Sequence, residues 1–292
     1  MWDEKRREVK KKLRSLQGLP TLPPIVAKLT RMIGDDTVSA PQIAAVIEKD
    51  QVLTSKVLRL VNSAFYGFPR RISTVSNAIV LLGFNVIRTL VITASIFEIM
   101  QSREVGLWEH SLGVAAVSGI LAKELKISNP EEIATAGLLH DLGKVIERAS
   151  LFEEYKAIQE LVEARGITWR EAEKEVLHMD HAEIGSYLLN RWNLPERLVE
   201  PVAFHHEVKK AKKFQVETAI VQMADILVRA RGFGYAGDPW LPEPEEKTLK
   251  LLGFSGKDFK SLWPVLEAKF YELKFFTEEI REALIEKHSS GS

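Results

Sequence analysis

The chain has 292 residues, 46% of them hydrophobic, enough to bury a sizeable core in one large domain or two small ones. Lysine plus arginine, 40 residues, equals aspartate plus glutamate, 40 residues, so no net field draws the chain toward nucleic acid or an anionic membrane surface. Cysteine is absent, which excludes disulfides, thiolate nucleophiles and Cys-based zinc sites and leaves His, Asp and Glu as the strong side-chain metal ligands.

From the N-terminus, Met1 to Leu13 is charged and helix-prone and does not read as a signal peptide. Ile43, Val46 and Ile47, then Leu53, Val57, Leu58, Leu60 and Val61, recur at three- and four-residue spacings that line one face of a helix. The apolar runs Ala78–Leu82 and Thr89–Ile96 are too short to span a bilayer, and a soluble, cytoplasmic protein without membrane contact is expected. Strand alternation appears nowhere at length. Turn chemistry at Gly34-Asp35-Asp36, Gly67-Phe68-Pro69, Ser128-Asn129-Pro130, Asn193-Leu194-Pro195 and Gly237-Asp238-Pro239 divides the pattern into at least ten helices. Helix starts are expected at Ser39 before Pro41, at Asn129 before Pro130 with Glu131 and Glu132, and at Thr277 before Glu278 and Glu279. Pro239, Pro242 and Pro244 mark a break in the helical stack over 232–246, and the amphipathic tail beyond it, with Leu262, Leu266 and Phe270 among its apolar residues, should pack on this chain or on a partner.

The densest chemical signal is Gly137-Leu138-Leu139-His140-Asp141-Leu142-Gly143-Lys144, where a His-Asp pair interrupts an apolar helix. Burying an ionised carboxylate unpaired costs several kcal/mol, so Asp141 needs a cation or a hydrogen-bonded partner. Lys144, three residues on, shares that helix surface and can pair with Asp141 or reach a phosphate. His205 and His206 are adjacent; helical neighbours diverge by about 100°, so the two rings are expected to serve neighbouring metals, or a metal and a substrate, rather than one ion. His178 and His288 are read as ordinary structural histidines. The lysines at 209, 210, 212 and 213 are read as solvated surface, because zero net charge and the lack of interleaved aromatics argue against DNA binding.

His110, His140-Asp141 and Asp225 in order resemble the four-ligand signature of the HD superfamily of helical metal-dependent phosphohydrolases. His181, in His181-Ala182-Glu183-Ile184-Gly185, and His205-His206-Glu207 resemble the additional histidines of the HD-GYP branch, which hold a second metal; the Gly-Tyr-Pro motif itself is missing. Leu19-Pro20-Thr21-Leu22-Pro23, Ile47-Glu48-Lys49-Asp50, the run Leu58 to Gly67 and Ala78-Ile79-Val80-Leu81-Leu82-Gly83 resemble the HDOD domain, with Gln51 in place of a common proline.

The resemblance implies an all-α, HD-like helical bundle with an HDOD N-terminal subdomain over 15–104, a metal-binding subdomain over 105–231, and a linker and helical tail over 232–292. It implies a metal set of His110, His140, Asp141, His181, His205, His206 and Asp225, with Asp141 bridging two divalent transition metals. Iron or manganese is the first expectation, with nickel, cobalt or zinc as other fits for imidazole and carboxylate. Asp141 and Lys144 are the expected catalytic pair for hydrolysis of a nucleotide or other phosphorylated small molecule. Many HDOD domains are instead non-catalytic output modules that meet a protein partner in bacterial signalling, and that alternative stays open.

Overall fold

The computed structural model describes residues 2–15, 28, 29, 32, 38–49, 51–62, 71–83, 87, 91 and 106–289. The motif residues Leu19–Pro23, Asp50 and Ser63–Gly67 lie outside them. Among the described residues there is no strand. The N-terminal part contains α1 (Trp2–Ser15), α2 (Ala40–Ile47), α3 (Gln51–Val61) and helical residues 75–83. A further series follows: α4 (Leu107–Glu124), α5 (Pro130–Leu139), α6 (Leu142–Ser150), α7 (Phe152–Arg165), α8 (Trp169–Val176), α9 (His181–Arg191), α10 (Glu196–Phe204), a 3-10 turn (Val208–Lys210) and α11 (Gln215–Arg231). The chain closes with α12 (Glu246–Leu252) and α13 (Gly256–Ser289). No described helix is long and apolar enough to cross a membrane.

Local chemistry explains several boundaries. Ser39 starts α2 as expected, its N–H donating to Gln42 Oε1 at 2.8 Å. Asn129 does precede α5, but in the left-handed region (φ 59°) and without a side-chain cap; Pro130 sets the first turn instead. Thr277 is not a helix start. It lies inside α13, where its hydroxyl returns to the Lys274 carbonyl at 2.9 Å, and no glycine or proline lies close before it to end the helix. Asn62 closes α3 by donating to the carbonyls of Leu58 and Ile72, both at 2.8 Å, and accepting the Ile72 N–H at 2.7 Å, which pins the chain ten residues ahead.

Two apolar cores hold the helices. The first joins Val9 and Leu13 of α1, Ile43 and Ile47 of α2, Val57 of α3 and Val75 to Leu107, Leu139, Ile146 and Leu188, so it draws on described residues from both of the expected subdomains. The second packs Leu262, Leu266 and Phe270 of the tail against Val117, Leu121, Ala224 and Val228 on α4 and α11. These three tail side chains are therefore covered within this chain. Burial of such side chains is worth about 1.5–3 kcal/mol each. Polar contacts add orientation: Arg6 of α1 pairs with Glu183 of α9, and Arg191 donates to the Leu13 carbonyl at 3.2 Å.

Candidate metal centre

Five helix ends and two helix interiors deliver the polar cluster. His140 and Asp141 do not interrupt one helix, as their spacing suggests; they are the break between α5 and α6. Asp141 adopts φ −96° and ψ 12°, a bend that turns both side chains inward and places Lys144 in the first turn of the next helix. His110 comes from α4 and Asp225 from α11, while His181 is the first residue of α9.

His205 and His206 converge rather than diverge. α10 ends at Phe204, so the helical step between neighbours no longer applies, and the ring centroids lie 4.0 Å apart. His206 Nε2 is 2.8 Å from His181 Nε2, and His205 Nε2 is 3.4 Å from it. All seven residues expected as ligands are thus brought together, in overlapping groups His110/His140/Asp225, His140/Asp141/His205 and His181/His205/His206. Asp141 straddles them: Oδ2 lies 3.3 Å from His140 Nε2 and 3.8 Å from His110 Nε2, and Oδ1 lies 3.2 Å from His181 Nε2. His178 lies outside these groups, its Nδ1 3.2 Å from the Lys174 carbonyl, and the side chain of His288 is outside the described residues.

The ring tautomers are set from behind. His140 Nδ1 lies 2.7 Å from the Gly137 carbonyl and His205 Nδ1 2.8 Å from the Val202 carbonyl, so each ring donates there and points an Nε2 lone pair inward. His181 Nδ1 donates to Glu173 at 2.8 Å, and its backbone N–H donates to the same carboxylate at 3.0 Å. Burial holds His110, His181, His205 and His206 below the ordinary imidazole range, His205 down to about 4, with neighbouring imidazoles or Lys144 adding to it. Burial opposes charge on His140 as well, but Asp141 outweighs it and raises that ring. Against the same desolvation, His140 and Lys144 hold Asp141 well below the carboxylate range, and Arg229 with His110 does so for Asp225.

Neutral imidazoles and ionised carboxylates are the protonation states that bind cations. Nε2 of His110 and of His140 are buried 3.1 Å from Asp225 Oδ1 and 3.3 Å from Asp141 Oδ2 without an aligned hydrogen bond to either, a crowding of polar atoms that a cation between them would relieve. This donor set fits a divalent transition metal.

Several supporting residues had little or no signal in the sequence. Glu173 lies eight residues before His181 in a glutamate-rich helix, and it is fully buried. Behind it, Trp169 Nε1 donates to Glu147 at 3.4 Å. Burial pushes Glu147 up to about 8 and Glu173 upward too, since two adjacent buried carboxyls cannot both ionise. Glu173 accepts from His181, and the two carboxyls hold one proton between them. Arg229 pairs with Asp225 at 2.9 Å and Asp238 at 3.1 Å; its i,i+4 spacing from Asp225 was a readable sign. Gln222 donates to the His205 carbonyl at 2.9 Å while accepting from Thr248 at 2.6 Å.

The segment expected as a break in the stack is a strap across the centre. Tyr235 N–H donates to the Gly106 carbonyl at 2.9 Å, and the Ala236 carbonyl accepts from Lys144 Nζ at 2.8 Å. Lys144 also reaches Asp141 Oδ2 at 2.8 Å and is only 1% exposed. Gly234 (φ 73°) passes so close to the backbone of His110 that a Cβ would collide with it. Gly143 likewise lets α6 lie against the His181 carbonyl. Of the seven candidate ligands, only His206 is partly exposed, so the centre opens there, beside Arg170 and its partner Glu207 at 2.7 Å. In the nearby lysine run, Lys210 pairs with Glu207 at 3.0 Å and Lys213 with Glu196 at 2.6 Å.

Residues 19–208 match the HDOD domain family, and the chain belongs to it. Its fold is similar to an HDOD domain protein of unknown function from Geobacter sulfurreducens, at TM-score 0.75 and 27% identity over 93% of this chain and 98% of that one. It is also similar to a candidate phosphohydrolase from Shewanella amazonensis, at TM-score 0.69 and 27% identity over 91% and 96% of the two chains. An uncharacterized protein of Treponema pallidum is 28% identical over 73% of this chain, and ribonuclease Y of Pelobacter propionicus is 33% identical over 125 residues. The matched parts are 43% and 18% of those two proteins' lengths, so this chain spans only a fraction of either.

Proposed function

We propose that this chain is a metal-dependent phosphohydrolase of bacterial signalling, acting on a nucleotide or another phosphorylated small molecule. The observation that carries this reading is the Asp141 carboxylate, whose two oxygens face two different groups of imidazoles. Two iron or manganese ions held by the seven residues would supply Lewis acidity toward a phosphoryl oxygen and acidify a water.

The chain's own residues do the rest. Glu173 and the Gly137 and Val202 carbonyls hold three rings in their ligating tautomers. With five neutral imidazoles and two carboxylates, the centre would favour an anionic ligand once two divalent cations are bound. Lys144 acts through Asp141, offsetting its charge; it would touch a phosphate only after leaving the Ala236 carbonyl. The strap keeps bulk water from that side, and substrate would enter past His206 and Arg170.

A second reading, a non-catalytic module that senses a ligand or meets a protein partner, draws on the depth of the centre: every candidate ligand but His206 is buried. Elemental analysis of protein purified without chelator, paired with a phosphodiester and nucleotide screen, separates the two. The enzyme reading expects near two iron or manganese atoms per chain, lost in a His140→Ala, Asp141→Ala variant, together with turnover. Metal retained without turnover selects the sensing module, and protein that refuses added iron, manganese and nickel defeats both metal readings.

A further inference from the structure

The tail helix α13 has two apolar rows. Leu262, Leu266, Phe270 and Leu273 form the buried one. Pro264, Ala268, Tyr271 and Phe275 form the other, at spacings of four, three and four, and all are exposed, Tyr271 by 61% and Phe275 by 67%. At about 100° per residue these four fall within about 60° of one another, roughly half a turn from the buried row. An exposed apolar row that runs along one helix face marks a contact surface, whereas single exposed apolar residues are ordinary.

Charge is ordered along the same line. Lys257 and Lys260 stand at its N-terminal end, exposed and without an ion-pair partner among the described residues. Past Phe275 the helical register brings positions 278 and 282, both glutamate, onto the line. The stripe therefore reads basic, apolar, acidic from residue 257 to residue 282, a length of about 38 Å. Lys257 lies in the first turn of α13, where a cation opposes the helix dipole, so the stability of this helix alone does not explain the basic end.

We propose that this stripe is a dimer interface on which α13 of a second copy lies antiparallel. About a two-fold axis between Lys269 and Phe270, Pro264 of one copy meets Phe275 of the other, Ala268 meets Tyr271, and the Lys257 and Lys260 end meets the Glu278 and Glu282 end. Symmetry repeats each contact, so the apolar middle is covered and opposite charges join at both ends. A parallel pair would set lysines against lysines and glutamates against glutamates. The pattern is complementary to itself, which is why a second copy is the fitting occupant. Glu267 and Glu272, which flank the stripe and approach one another in this register, already have cations of their own, Arg231 and Lys269, each at 2.7 Å.

Sedimentation velocity of the whole chain, from low micromolar to submillimolar concentration, tests this, and the expected result is a monomer–dimer equilibrium. Tyr271→Ala with Phe275→Ala should weaken the dimer about tenfold or more, as lost central apolar contacts do. Lys257→Glu with Lys260→Glu should weaken it by about tenfold as well, and so should Glu278→Lys with Glu282→Lys, because each change turns attractions at both ends into repulsions. Mixing the two charge variants should restore a dimer containing one of each, which also shows that both are folded. A chain that stays monomeric throughout overturns the proposal. So does a dimer indifferent to the apolar or to the charge substitutions, or a pair of charge variants that fails to associate when mixed.

Discussion

The two halves of the metal centre are built differently. The group at His110, His140 and Asp225 contains a carboxylate whose charge is already met by Arg229, while the group at His181, His205 and His206 is three imidazoles with only Asp141 Oδ1 reaching in. The first half is an ion pair buried in advance of any cation, and the second is a cluster of packed imidazoles oriented by Glu173. Charge in one place and orientation in the other make the halves separable by mutation.

The largest effect should come from Arg229. Removing one partner of a buried pair costs about 3–5 kcal/mol, because the other charge is left uncompensated. Arg229→Met should lower the urea stability of metal-free protein by about that amount, with manganese recovering part of it; no recovery would mean that Asp225 does not hold a cation. Glu173→Gln should weaken metal at the second half about 10–100-fold, as outer-shell partners do, and leave the first half bound. Competition against a chelator would show one weakened equivalent, and two weakened equally would erase the distinction between the halves.

The smallest effect concerns pH. Folding raises Glu147 from about 4.5 to about 8, so the unfolded chain releases this proton earlier than the folded one. The stability contributed by the proton is complete below pH 4.5 and is lost as pH rises toward and through 8. Glu147→Gln cannot ionise, and its stability should fall less between those values than that of the unaltered chain. Parallel pH curves for the two proteins would place the proton elsewhere.

Much of the centre was legible before folding. The residues in the order His110, His140-Asp141, His181, His205-His206, Asp225 are those that the described fold gathers into three groups able to hold a metal. What failed were inferences that assumed helical geometry at helix ends. His205 and His206 converge because α10 has already stopped, and His140 and Lys144 belong to different helices because the chain bends at Asp141. Thr277 failed in the opposite sense, since a threonine followed by glutamates also suits a helix interior when nothing before it breaks the helix.

By itself the sequence determined the helical class, through periodicity, and its family resemblance pointed to seven polar residues as a set. Tertiary structure alone decided which groups stand behind the ligands: Glu173 behind His181, the Ala236 carbonyl on Lys144, and the tail against α4 and α11. The reason is physical. A metal ligand must be one of a few residue types, whereas a hydrogen-bond acceptor behind it can be any carboxylate or backbone carbonyl that packing brings within 3 Å.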